Sequence, residues 1–158
     1  MIERLLRSAD FERVLRTATR ARSTHFAAHH VGDSPSLPAK VAKVALAAKL
    51  STTDVPHQTQ PVDESLALSP KPAATWLGAV VPKRHAKRSV TRSLLKRQIR
   101  AAVLAQGDVL STGLWVIRLR APFDVAQFPS ARSQALRDAA RSELDLLLAS
   151  AVQRGRGR

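Results

Sequence analysis

The chain predicts a single α+β domain, and three observations carry that expectation. Its 158 residues suit one modest hydrophobic core rather than two. Segments with apolar residues at helical spacing alternate with short apolar runs of strand length. Residues 33–74 interrupt that alternation with a different composition, rich in Pro and Ala.

In chain order, Ser8 is expected to cap a helix whose first turn holds Asp10 and Glu12, anions that suit the positive end of the helix dipole. Phe11, Val14, Leu15 and Ala18 then recur at i, i+3, i+4 and i+7. Residues 23–31 lack a 3.6-residue period and end at Gly32, which predicts a strand. Residues 76–81 form an apolar run stopped by Pro82, and residues 114–119 follow Gly113 and stop before Pro122. Both are expected as buried strands. A basic helix is expected between them, over about 87–106, with Gly107 as its terminal glycine. A last helix is expected over about 131–152, capped by Ser130, with Leu136, Ala140, Leu144, Leu147 and Ala151 as its apolar line. Residues 154–158 read as an unstructured basic tail. Phe26 is expected in the core, and Trp76 and Trp115 in core or sheet-edge packing.

Residues 33–74 read as an insertion. They carry six of the nine prolines, no Arg and no Gly, and their Lys40, Lys43, Lys49 and Lys71 balance Asp33, Asp54, Asp63 and Glu64. Residues 39–50 have helical composition, but about a dozen residues is marginal for an isolated helix. The reading is disordered or loosely helical chain, which leaves a single domain over 1–153 with its core at about 4–32 and 75–152.

The whole net charge of +14 lies outside that insertion, as does every arginine. Such a balance points to a polyanion, and arginine is the side chain suited to bidentate phosphate contacts. No apolar stretch approaches bilayer length, and the first fifteen residues lack the apolar centre of a secretory signal. The expected location is the cytoplasm, with no membrane partner. The absence of cysteine excludes disulfides, thiol catalysis and Cys-based zinc sites. No Tyr and 4% aromatic residues argue against a module that grips RNA mainly by stacking.

Residues 83–100, KRHAKRSVTRSLLKRQIR, hold eight basic residues and no acid. On a helical projection Arg88, Arg92, Lys96 and Arg100 sweep about 120°, and Arg97 widens the face to about 180°. Val90, Leu94, Leu95, Ala101, Ala102 and Ala105 are expected opposite, with Val103 violating the division. A helix needing only solubility would mix Glu with Lys at i, i+4. Unrelieved repulsion makes sense if phosphates supply the anions, and RNA is the expected partner. A solvated basic face without a partner is the bland alternative. No helix-turn-helix partner or heptad zipper accompanies the run, so DNA is not expected.

The order DFERVL, a Phe-containing strand, VVPKR, VTRSLLKRQIR and a final amphipathic helix resembles the bacterial ribonuclease P protein subunit. In that family a strand with a basic turn leads into a helix that carries Arg-Asn-Arg, then a Lys-Arg pair and a further Arg one turn on. Arg92, Lys96, Arg97 and Arg100 match, while Ser93 and Leu94 stand where Asn and Arg are usual. The resemblance covers about 4–31 and 75–152. It implies a two-layer α/β sandwich of order αβββαβα with a left-handed crossover, like domain 2 of ribosomal protein S5. A fourth strand would come from a break in 23–31 or from 66–69.

The resemblance also implies a function. The protein would assist a catalytic RNA that removes the 5′ leader of precursor tRNA, with Mg2+ held mainly by the RNA and no organic cofactor. Lys83, Arg84, Lys87, Arg88, Arg92, Lys96, Arg97 and Arg100 would face the catalytic RNA and the precursor tRNA. Phe11, Leu15 and His29 would line a cleft for the single-stranded leader, although Phe11 has an equally plain reading as a core side chain. No protein catalytic residue and no protein metal site are expected, since no paired carboxylates or Ser, His, Asp set is legible. His29 and His30 fall on opposite faces of a strand. A ribosomal or other structural RNA-binding protein is the alternative.

Overall fold

The described residues of the computed structural model are 1–36 and 72–156. Among them five strands form one sheet: β1 (Ile2–Arg4), β2 (Thr19–Arg22), β3 (Phe26–Val31), β4 (Thr75–Val80) and β5 (Gly113–Leu119). Their order is β1-β4-β5-β3-β2. β1, β4 and β5 run parallel, and β3 runs antiparallel to both β5 and β2. The helices are α1 (Ser8–Leu15), α2 (Ser89–Ala105) and α3 (Gln134–Arg156). The mixed α+β class is as expected, with one short strand leading the anticipated series.

Period-two alternation assigns each strand residue to a face. Phe26, Ala28, Leu77, Trp115, Ile117 and Leu119 bury one face against α2 and α3. Leu114 and Val116 face the other way, where Val14 of α1 and Leu5 cover them. His29 and His30 divide between the faces. His30 packs on Trp115 at 4.5 Å between centroids, and Arg20 lies over the same indole at 5.4 Å.

Several boundaries differ from expectation for local reasons. The fourth strand is β2, upstream of residues 23–31, and β3 begins only at Phe26 because Ser23 and Phe26 close the hairpin turn. The segments 39–50 and 66–69 lie outside the described residues. Ser8 is the first helical residue rather than the cap: Leu5 donates its N–H to the Leu77 carbonyl, and Arg7 takes the cap position without a side-chain bond. α1 ends at Leu15, not at Ala18, since both the N–H and the hydroxyl of Thr17 donate to the Val14 carbonyl. Gly107 is not a left-handed cap. The helix ends in a tightened turn, with the Gln106 N–H on the Val103 carbonyl. The described glycine that needs positive φ is Gly113, at 123°, where a Cβ would collide with the Val31 carbonyl.

The last helix starts later and ends later than expected. Ser133, not Ser130, caps it by accepting the Leu136 N–H at 3.1 Å. It continues through Gly155 to Arg156 because Arg20 reaches across from β2. Arg20 Nε donates to the Ala151 carbonyl at 3.1 Å, and Arg154 donates to the Arg20 carbonyl at 3.3 Å. Gly155 leaves room for the Arg20 guanidinium. The same helix clasps the β2–β3 turn through Glu143, which accepts from Ser23 Oγ, the His25 N–H and His25 Nδ1. Burial alone would raise the Glu143 carboxyl, but these donors outweigh it and hold the group below its ordinary range.

α2 buries a stripe two residues wide: Leu94, Leu95, Gln98, Ile99, Ala102 and Val103. Val103 is therefore core, while Val90 is 47% exposed and Ala105 is also exposed. The helix packs on the sheet and on α3 together, which rotates the buried arc away from the single-sided projection. Adjacent residues consequently differ sharply. Leu95→Ala should lose about 2–5 kcal/mol, whereas Lys96→Ala should lose no more than about 0.5 kcal/mol, measured as urea midpoints.

Burial lowers the pKa of His29 and His30 below the ordinary 6.5, more than their hydrogen bonds to the Thr17 and Thr112 carbonyls raise it. The unfolded chain thus takes up protons first as pH falls. Stability present above 6.5 should be lost on acidification through the lowered native values. Urea unfolding at about pH 7 and about pH 5 should show the decline, and His29→Gln should shrink it.

Candidate nucleic-acid interface

The approach to α2 is shaped by its own backbone. His85 and Ala86 donate N–H groups to the Pro82 carbonyl, and Ala86 buries its methyl in the core at 5% exposure. Lys83, Arg84, Lys87 and Arg88 are left exposed around that anchor. Arg92 behaves differently from the rest of the basic set. Its Nη1 donates to the Ala86 carbonyl at 3.0 Å and the Lys87 carbonyl at 2.7 Å, fastening the turn to the helix. It sits at the edge of the buried arc, half-buried, so that part of its donor capacity is already spent on the protein.

Beyond it, Lys96, Arg97 and Arg100 stand exposed on one side of α2, with Ser93 beside them. Leu94, where the family motif has Arg, is 6% exposed and belongs to the core. The ion pairs among the described residues involve Arg13, Arg16, His25 and Arg141, none of them on α2 or its approach. The eight cations of residues 83–100 therefore have no carboxylate partner among the described residues, and all but the half-buried Arg92 are exposed.

The opposite face of the sheet carries the other predicted residues. Phe11 of α1 lies directly over Gly78 of β4, where any Cβ would overlap the ring. Leu15 is half-buried beside it. His29 is 3% exposed, and its Nδ1–H donates to the Thr17 carbonyl at 3.1 Å, which leaves Nε2 as the acceptor of a neutral ring. That Nε2 and the Nε of Arg118 are buried without a hydrogen-bond partner among the described residues. Arg118 and Arg22 add repulsion that further disfavours a charged His29.

The structure brings one of these residues into a shared space with the basic helix. A cleft of about 450 Å³ is lined by Phe11 and Gly78, by Lys96, Arg97 and Arg100, and by Arg4 and Glu3 of β1, the Glu3 carboxylate accepting from Trp76 Nε1 at 2.8 Å. Leu15 and His29 do not line it. Arg4 was not foreseen, because three residues at a chain start give no periodic signal for a strand. Arg132 and Arg137 were missed as well. They line a second groove with Arg97, Ser89 and Ser93 on the α3 side of α2.

Among the described residues no helix is long and apolar enough to cross a membrane, and no group of three His, Asp or Glu is placed to hold a metal ion.

The chain matches the family model described as Ribonuclease P over residues 2–142. It is 33% identical over 100 residues to the ribonuclease P protein component of Nostoc, covering 63% of this chain and 60% of that protein. It is 40% identical over 75 residues to the component of Bordetella parapertussis, covering 48% and 57%. The aligned part thus spans less than two thirds of the length of these relatives. The ribonuclease P protein of Staphylococcus aureus superposes with a TM-score of 0.50 over 94% of both chains at 17% identity, which supports the fold. Matched over most of its length by that family model, the chain belongs to the ribonuclease P protein family.

Proposed function

We propose that this protein is the protein subunit of ribonuclease P, an endoribonuclease that removes the 5′ leader of precursor tRNA. The observation that carries this reading is the cleft in which Phe11 faces Lys96, Arg97 and Arg100 without a carboxylate partner for those cations among the described residues. A single strand of RNA needs both components, a ring for a base and cations for its backbone. Family membership supplies independent support.

The chemistry is assigned to the RNA subunit, with Mg2+ held mainly by RNA phosphates. On this reading Lys96, Arg97 and Arg100, with Lys83, Arg84, Lys87 and Arg88, neutralise phosphates of the catalytic RNA and the precursor where they meet. Phe11 offers its ring to a leader base, and Gly78 lets the ring settle on the sheet. Leu15 and the neutral His29 support the leader path from beneath, His29 through its bond to Thr17 rather than through an open ring face. Arg92 acts on RNA indirectly, by holding Ala86 and Lys87 in place. Neutralising repulsion between two RNAs lowers the Mg2+ concentration that cleavage requires. A cytoplasmic location follows from this role.

Reconstitution with a bacterial ribonuclease P RNA at low Mg2+ should show leader removal stimulated by the protein. Combined replacement of Lys96, Arg97 and Arg100 by Ala should leave the circular dichroism spectrum unchanged. It should also flatten the slope of log K against log salt by up to about 3, at roughly 0.7–0.9 per phosphate contact. Unchanged affinity and slope in that triple variant would remove the assignment. In the same assay, replacing residues 35 to 72 with a short linker should leave processing largely intact.

A further inference from the structure

The geometry points to a second RNA contact, separate from the Phe11 cleft: a groove that receives one unpaired nucleobase. It rests on the reading of the protein as an RNA-binding subunit and adds a site to it. The groove encloses about 450 Å³ between the 84–88 turn and residues 122–131, within the size range of small-ligand pockets.

Its floor and walls are apolar. Phe123 and Phe128 meet edge to face at 5.8 Å and 82°, and Leu95, Leu136 and Ala86 line the groove with them. Phe123 is immobilised from behind, since His25 stacks on it at 3.9 Å and Phe26 meets it at 5.9 Å. Val125, also in the lining, is 72% exposed.

The rim carries Arg84, Lys87 and Arg88, and no carboxylate belongs to the lining. None of these three forms an ion pair among the described residues. An aromatic floor with a cationic mouth matches a nucleotide: the base stacks inside and its phosphate meets the guanidinium groups outside. An apolar peptide would fill the floor but leave the three cations without anions.

The walls are also held in place before any ligand arrives. Thr91 Oγ1 donates to the Ala131 carbonyl at 3.2 Å and Arg88 Nη1 to the Pro129 carbonyl at 3.4 Å, tying the helix to the loop. Arg92 fastens the turn from the other side. Within the loop, Asp124 Oδ1 accepts the Ala126 N–H and the Asp124 carbonyl accepts the Phe128 N–H. A site with fixed walls loses little entropy on binding.

The test uses the full chain reconstituted with a bacterial ribonuclease P RNA. Short-wave ultraviolet cross-linking with peptide mapping should place nucleotide adducts on Phe123 or Phe128. Phe128→Ala should weaken the complex by roughly 5- to 100-fold, the range for one stacked base, while the salt slope stays as in the parent. Val125→Glu, which leaves every ring in place, should weaken it in the same direction should Phe128→Ala prove poorly folded. Parent-like affinity for both folded variants, with no adduct in the groove, overturns the proposal and leaves the functional reading standing. Failure of the unaltered chain to bind the RNA at all removes both. A change in the sedimentation of free protein with Val125→Glu, without an effect on RNA, would assign the groove to a second copy and overturn it as well.

Discussion

The burial of one doubled stripe on α2 is the constraint on which the rest depends. Leu94, Leu95, Ile99, Ala102 and Val103 are held by the sheet and α3 at once. A helix gripped from two sides cannot roll, so Lys96, Arg97 and Arg100 are presented in one direction. Their mutual repulsion is worth tenths of a kcal/mol per pair in water, whereas each buried large side chain contributes about 1.5–3 kcal/mol. The core therefore wins, and a cluster of like charges is kept in place despite its own repulsion.

Arginines in this chain divide by what they bind. Arg20 and Arg92 donate to backbone carbonyls, Arg20 tying β2 to α3 and Arg92 tying the 84–88 turn to its own helix, and Arg13, Arg16 and Arg141 pair with carboxylates. Arg97 and Arg100 do neither among the described residues. Guanidinium groups can serve all three purposes because they are planar, always charged and rich in donors. Only the neighbours of each one decide its use.

Gly78 and Phe11 give the sheet a role beyond scaffolding. Removing one Cβ from β4 lets an aromatic ring sink onto the strand at the place where α2 turns its basic side toward β1. An aromatic ring and a set of cations thereby come from opposite faces of one sheet and line one cleft at its edge. The 84–88 turn repeats the combination on a smaller scale, with Phe123 and Phe128 in place of Phe11.

Much of this was legible from one dimension. Helical spacing along residues 94–102, the apolar run of β5, the apolar line of α3 and the acid-free run at 83–100 each depend on residues a few positions apart, and short-range pattern determined them. The family motif likewise lies within nine residues. What tertiary structure alone decided depends on partners far along the chain. Arg20 carries α3 through Gly155, Glu143 closes the β2–β3 turn, and α3 makes Val103 core and leaves Val90 outside. The pairing of β1 with β4 and the placing of Phe11 and Arg97 in one cleft are of the same kind. A side chain's type and spacing restrict what it can do, but its burial and its hydrogen-bond partners are set by chain that arrives from elsewhere, and no local pattern records that arrival.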